Sequence, residues 1–209
     1  MNEKEHDGYV ILINGSPHAS GSTYASLLEV AKTLEAENIR TEIIQIGGKR
    51  LHGCMGCFAC NKIGRCVYED EVNEVAKKLG EADGLVVGSP IYYASPNGTV
   101  LSFLDRLFKS TAGIDKTMKV GASVVALRRA GATAGLDALN KYFTISGMPV
   151  ASSSYWNLAH GRSAEEVVLD TEGMYTMRAL ARNMAFLIKS IKLGKDKFGL
   201  PEKEPKPTH

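Results

Sequence analysis

A doubly wound α/β fold is what this chain predicts: five parallel strands between two helical layers, a three-layer α/β/α sandwich. Three observations carry that expectation. The short apolar run at residues 9–13 is continuous, as in a strand buried on both faces, rather than alternating. Amphipathic segments with helical spacing separate the strands, and the alternation of the two patterns persists along the chain. No internal repeat or linker marks a second domain, so residues 1–198 read as one domain followed by a tail over 199–209.

The first strand is Tyr9-Val10-Ile11-Leu12-Ile13, broken by Asn14-Gly15-Ser16-Pro17. Ser22 or Thr23 opens a helix that places Leu27, Leu28, Ala31 and Leu34 on one face. Residues 41–46 form a second strand ending at Gly47-Gly48, and a loop over 53–67 holds the cysteines. Asp70 caps a helix through Val72, Val75, Ala76 and Leu79. Residues 84–88 make the third strand, and a helix follows from about 99 to 109. The fourth strand spans 120–127, with a helix near 134–143. A shorter fifth strand is expected at 149–153. The last helix covers about 171–191, with Met174, Met177, Leu180, Ala181, Met184 and Leu187 at helical spacing. The Pro- and Lys-rich tail is expected to be mobile or to lie on a neighbouring subunit.

With 209 residues, 44% hydrophobic and 23% charged, the chain has the balance of a soluble globular protein. A formal net charge of +2 argues against nucleic-acid binding, which wants clustered Lys and Arg. The N-terminus lacks an apolar run behind a basic start, so neither a signal peptide nor a membrane span is expected, and a cytoplasmic setting fits crowded thiols.

All four cysteines, Cys54, Cys57, Cys60 and Cys66, fall in one loop with the spacing C-x2-C-x2-C-x5-C. A disulfide framework would spread them along the chain. Four thiolates on a Gly-containing loop can reach the corners of an iron–sulfur cluster, whereas zinc more often takes two separated pairs. Ordinary reduced thiols or a labile redox disulfide are the alternatives. Val67 follows Cys66, where the two-cluster ferredoxin run has a proline, so the motif reads as one self-contained site.

In sheets of this kind ligands bind beyond the carboxyl ends of the strands, at the switch point. The loop after the first strand, Gly15 to Thr23, is neither G-x-G-x-x-G nor a P-loop. Its helix N-terminus, with the hydroxyls of Ser16, Ser20, Ser22 and Thr23, can cradle a phosphate monoester; His18 adds a donor or faces water. After the third strand, the segment from Pro90 to Asn97 carries two prolines and the pair Tyr92 and Tyr93, which can line a flat ring or pack on neighbours. After the fourth, Arg128-Arg129-Ala130-Gly131 offers cations and a turn. Either arginine could serve a reduced flavin, a nicotinamide-cofactor phosphate or a surface ion pair. His160 reads as a structural or solvated loop histidine.

These residues converge on a family. The stretch from Asn14 to Thr23 resembles the FMN phosphate loop of the flavodoxin-like NAD(P)H-dependent FMN reductases, and Gly88-Ser89-Pro90-Ile91-Tyr92-Tyr93 resembles their ring-binding loop. The cysteine run is similar to the compact cluster motif of archaeal-type iron–sulfur flavoproteins. The resemblance implies a flavodoxin-like fold with strand order 2-1-3-4-5 and FMN at the switch point. It implies FMN held by Ser16, His18, Ser20, Ser22 and Thr23, by Pro90, Ile91, Tyr92, Tyr93, Ser95 and Asn97, and by Arg128 and Gly131. It further implies a [4Fe-4S] cluster on Cys54, Cys57, Cys60 and Cys66, NAD(P)H as electron source, an unnamed acceptor, and a homodimer or homotetramer. A cluster-free reductase of quinones, nitroaromatics or azo dyes, a flavodoxin-type electron carrier, and a structural flavin-binding sensor are the competing expectations.

Overall fold

The computed structural model describes residues 6–205, so residues 1–5 of the expected domain and 206–209 of the expected tail lie outside the described residues. In chain order the elements are β1 (Gly8–Asn14), α1 (Ser22–Ala36), β2 (Ile39–Gln45), α2 (Cys60–Ile63), α3 (Glu71–Glu81), β3 (Gly84–Tyr92) and β4 (Ser95–Pro96). They continue with α4 (Gly98–Ser110), β5 (Val120–Leu127), α5 (Ala132–Thr144), β6 (Leu158–His160), α6 (Ala164–Leu169) and α7 (Thr171–Phe198).

Five strands pair in parallel in the order β2-β1-β3-β5-β6, and β4 folds back antiparallel on the end of β3. This is the flavodoxin-like α/β/α sandwich. The alternate residues of β1 feed two cores. Ile11 and Ile13 meet α3, α4 and α5 through Val75, Leu79, Phe103, Leu107 and Phe143. Val10 and Leu12 meet α1 and α7 through Leu27, Leu34, Met177 and Met184. All seven residues of β1 are buried, which is why the strand reads as an unbroken apolar run. Each such aliphatic side chain, fully buried, contributes about 1.5–3 kcal/mol.

The capping expectation at Asp70 is met: its side chain accepts from the Val72 amide at 3.2 Å. The fifth strand is different. Residues 149–153 make only a bridge, in which the Gly121 amide donates to the Pro149 carbonyl and the Ala151 amide to the Gly121 carbonyl. Pro149 has no N–H to offer, and the Ser153 hydroxyl bonds Asn157 at 2.7 Å, so a local turn outcompetes the ladder. Pairing resumes at β6, where Val125, Ala126 and Leu127 face Leu158, Ala159 and His160. The short α2 and α6 are additions to the sequence reading. The last helix continues to Phe198, past the point where its apolar stripe gives way to lysines, so the tail begins at the Gly199 cap.

The loop after β3 is a tight hairpin. Ile91 faces Pro96 and Tyr92 faces Ser95, leaving Tyr93 and Ala94 as the two turn residues, both left-handed at φ +51° and +61°. Two-residue hairpins favour such turns because their twist matches the strands, but glycine and asparagine usually occupy them. The tip packs on the start of α5, where Gly131 has φ +96° and an added Cβ would stand 2.7 Å from the Ala94 Cα. Among the described residues no helix is long and apolar enough to cross a membrane.

Gly131→Ala should therefore lower stability by about 1–3 kcal/mol, since both its dihedral and its contact exclude a methyl group. Chemical denaturation of the purified variant checks this, and an unshifted midpoint would mean that the hairpin tip is free to move away.

Candidate functional site

Three strand ends are tied together at the switch point. Asn14, fully buried at the end of β1, accepts from the Ser16 amide through Oδ1 at 3.1 Å and donates through Nδ2 to Gln45 Oε1 at 2.5 Å. Gln45 Nε2 donates in turn to the Ser16 carbonyl at 2.6 Å. The Gly15 amide donates to the Gly88 carbonyl at 2.8 Å, and the amides of Ile46 and Gly47 to the Asn14 carbonyl at 2.9 and 3.1 Å. Gly47 lies so close that a Cβ would stand 2.1 Å from the Gly15 carbonyl oxygen. Asn14 and Gln45 were not singled out from sequence. The available signal was an asparagine closing an apolar strand before Gly-Ser-Pro, an Asx-type turn.

From this anchor the next loop turns into α1. The His18 amide donates to Ser16 Oγ at 3.1 Å, and α1 starts at Gly21 with no side-chain cap and no acidic residue in its first turn. The helix therefore presents unsatisfied amides and the positive end of its dipole. Ser22 Oγ donates to the Gly161 carbonyl at 3.4 Å, tying this loop to the far side. Thr23 is 1% exposed, and its hydroxyl has no hydrogen-bond partner among the described residues.

A cleft of about 570 Å³ opens here. One wall carries Ser16, His18, Ser20, Ser22 and Thr23, the next carries Pro90, Ile91 and Tyr92, and Arg128 projects from the end of β5. Four expected residues are not in its lining. Tyr93 projects into solvent at the hairpin tip, and Ser95 pairs with Tyr92. Asn97 caps α4, its Oδ1 accepting from the Thr99 amide at 2.7 Å. Gly131 starts α5 beneath the hairpin. The remaining wall, residues 161–165, was missed. Its signal was the capping pair Ser163 and Glu166: Ser163 Oγ accepts from the Glu166 amide at 3.3 Å, and Glu166 Oε2 accepts from the Arg162 amide at 2.8 Å.

The cysteines form a separate place. All four are free thiols and line one small pocket with Phe58, Tyr68 and the α4 residues Arg106, Lys109 and Ser110. Left-handed turns at Gly56, Phe58 and Gly64 fold the loop. Asn73 pins its end, accepting from the Cys66 amide and donating to the carbonyls of Cys66 and Tyr68. Arg106, only 1% exposed, grips Asp70 with two bonds of 2.7 and 2.9 Å. It also donates to Cys66 Sγ from Nε and Nη2, both at 3.2 Å. Burial works against its charge, but Asp70 and Cys66 outweigh that and hold its pKa above the ordinary arginine value. Among the described residues no three His, Cys, Asp or Glu side chains converge around one ion position. The donor set itself, four sulfurs on one loop, suits an iron–sulfur cluster. The sequence put this loop at the same sheet end as the cleft. It instead descends to the second half of α4, about 12 Å down that helix at 1.5 Å per residue, and shares no lining residue with the cleft.

The comparisons with known proteins agree. The model of the NADPH-dependent FMN reductase family matches residues 9–163. An iron–sulfur flavoprotein of Methanocaldococcus jannaschii is 32% identical over 190 residues, covering 88% of this chain and 98% of the relative. One from Methanosarcina thermophila is 26% identical over 192 residues, covering 88% and 97%. Among solved structures, RosB with a bound formylriboflavin phosphate intermediate superposes with TM-score 0.69 at 17% identity, over 88% of this chain and 80% of its own. A flavodoxin, WrbA-like protein from Agrobacterium tumefaciens gives 0.59 at 16%, over 87% and 96%. The chain belongs to the NADPH-dependent FMN reductase family, among its iron–sulfur flavoproteins.

Proposed function

We propose that the protein is an FMN-dependent oxidoreductase that draws electrons from NAD(P)H and uses the cysteine loop as an iron–sulfur relay to an acceptor. Family membership makes it an FMN oxidoreductase. The observation that carries the FMN assignment is the open N-terminus of α1 beside the unpaired Thr23 hydroxyl, a lysine-free cradle for a phosphate monoester.

In this reading Ser16, Ser20, Ser22 and Thr23 hold the phosphate with the first amides of α1, and His18 adds a donor. Pro90, Ile91 and Tyr92 offer the hairpin's backbone and apolar surface to the ring, stiffened by two prolines. Tyr93, Ser95, Asn97 and Gly131 support it indirectly, by shaping the hairpin and its seat. Arg128 supplies positive charge at the mouth. The flavin, when bound, supplies the hydride and electron chemistry, and the chain supplies placement and electrostatics. This is why no nucleophile–base pair is needed along the cleft. For the thiol loop, Cys54, Cys57, Cys60 and Cys66 are the ligands, and Arg106 donates two N–H groups to the Cys66 sulfur, a bond type that tunes such centres.

Replacing Ser22 and Thr23 together by Ala removes two hydroxyls from the phosphate cradle. FMN affinity of the apoprotein, followed by flavin fluorescence quenching, is expected to fall about tenfold or more. Undiminished affinity would refute the phosphate assignment.

Protein purified without oxygen is expected to contain iron, acid-labile sulfide and FMN. Cys57→Ser should lose the iron and sulfide while keeping the flavin. A variant with unchanged colour and turnover would favour a cluster-free reductase with ordinary thiols.

A further inference from the structure

The two ends of the cysteine loop are held very differently. Cys66 is fixed at every polar atom. Its amide donates to Asn73 Oδ1 at 3.0 Å, and its carbonyl accepts from Asn73 Nδ2 at 3.1 Å. Its sulfur accepts from Arg106 Nε and Nη2, both at 3.2 Å, and the side chain packs on the core that α3 and α4 share. Cys60 opens α2, and its sulfur reaches only the Lys109 carbonyl, at 3.9 Å. Cys54 and Cys57 are exposed and, among the described residues, take part in no hydrogen bond.

Arg106 is itself fixed from every side. The end of its fork, Nη1 and Nη2, faces the two oxygens of Asp70 at 2.7 and 2.9 Å, while its side, Nε and Nη2, faces Cys66. Nη1 also lies 3.5 Å from the His52 carbonyl. The Tyr68 ring covers the guanidinium at 4.8 Å and is stacked in turn on His52. A planar fork serves a carboxylate along one edge and a sulfur along the next, and an ammonium cannot do both.

Lys109 is the other cation of this pocket, three residues further along α4. Its ammonium lies 5.1 Å from the Phe58 ring and, among the described residues, donates to no sulfur. The two cations therefore separate charge that is merely nearby from charge delivered through a hydrogen bond. Reduction of an iron–sulfur cluster adds one negative charge, part of which falls on the ligand sulfurs. A cation donating directly to one of those sulfurs stabilises the reduced form more than the oxidised one.

We propose that Arg106 is the positioning residue of the thiol loop: through Cys66 it fixes the anchoring ligand of an iron–sulfur cluster and raises the cluster's reduction potential. The proposal rests on the cluster reading of the loop and deepens it. The couple concerned transfers one electron, which the reduced flavin loses and the cluster gains, and no bond at Arg106 forms or breaks.

Arg106→Lys keeps a positive charge for Asp70 and loses the fork. Potentiometric titration of protein purified without oxygen, followed by the electron paramagnetic resonance of the reduced cluster, reads the effect. Arg106→Lys is expected to shift the ratio of reduced to oxidised cluster by tenfold or more toward the oxidised form, a fall in potential of about 59 mV. Its iron should pass to a chelator about tenfold faster than in the parent protein. Lys109→Gln, which removes a cation bonded to no sulfur, should shift the ratio by less than about threefold. Should Arg106→Lys not fold, Asp70→Asn combined with Arg106→Met removes the buried charges together and is read in the same way. Folded, flavin-bearing Arg106→Lys that holds no iron would support the anchoring of Cys66. An unmoved potential in a variant with its cluster intact, or an equal shift in Lys109→Gln, overturns this proposal alone. Iron-free parent protein would overturn the cluster reading, and this proposal with it.

Discussion

The hydrogen bonds of Asn14 hold everything else in position. A side chain with no exposure to water must satisfy both ends of its amide, and Asn14 does so by joining the loop after β1 to Gln45 at the end of β2. Gly15 and Gly88 join the same point to β3. Three backbones meet there at distances that only glycine permits at Gly47. The mouth of the cleft is therefore a rigid frame made by the sheet itself, and the hydroxyl-bearing loop hangs from it. Loops that carry binding groups need such scaffolding, because their own backbones have little to pack against.

Much of this was legible in the sequence, for identifiable reasons. Strands buried on both faces cannot hide, because runs such as residues 9–13 have no polar interruption. Loops rich in hydroxyls and proline were equally visible, and the structure brings Ser16 to Thr23 and Pro90 to Tyr92 onto one cavity. What escaped depended on contacts made far away. The fifth strand was misread because Ser153 and Asn157 prefer one another to the ladder. Asn97 reads from sequence as the end of the ring-holding stretch, and in the structure its side-chain oxygen caps the helix that follows. Gly131 reads from sequence as a cofactor-side turn, and the surface it approaches is Ala94. The wall from 161 to 165 follows a strand of three residues, too short for any periodicity to register.

The cleft and the cysteine pocket differ in how they present positive charge. The cleft uses main-chain amides and a helix dipole, which carry only partial charge and need no buried counter-ion. The cysteine loop uses a full cation. Arg106 is buried, and its removal from water is offset by Asp70 and Cys66, which both accept from it, with the His52 carbonyl as a weaker third acceptor. Tyr68 lies over the same guanidinium at 4.8 Å and closes the remaining face.

That shared grip has a consequence for chemistry at sulfur. Asp70 both begins α3 and receives Arg106, so one carboxylate serves a helix start and a thiol anchor. Oxidation of Cys66 to a sulfinate would place two new oxygen acceptors beside the guanidinium and set them in competition with Asp70. Damage at a single sulfur would thus reach the secondary structure, loosening the first turn of α3 as well as the loop.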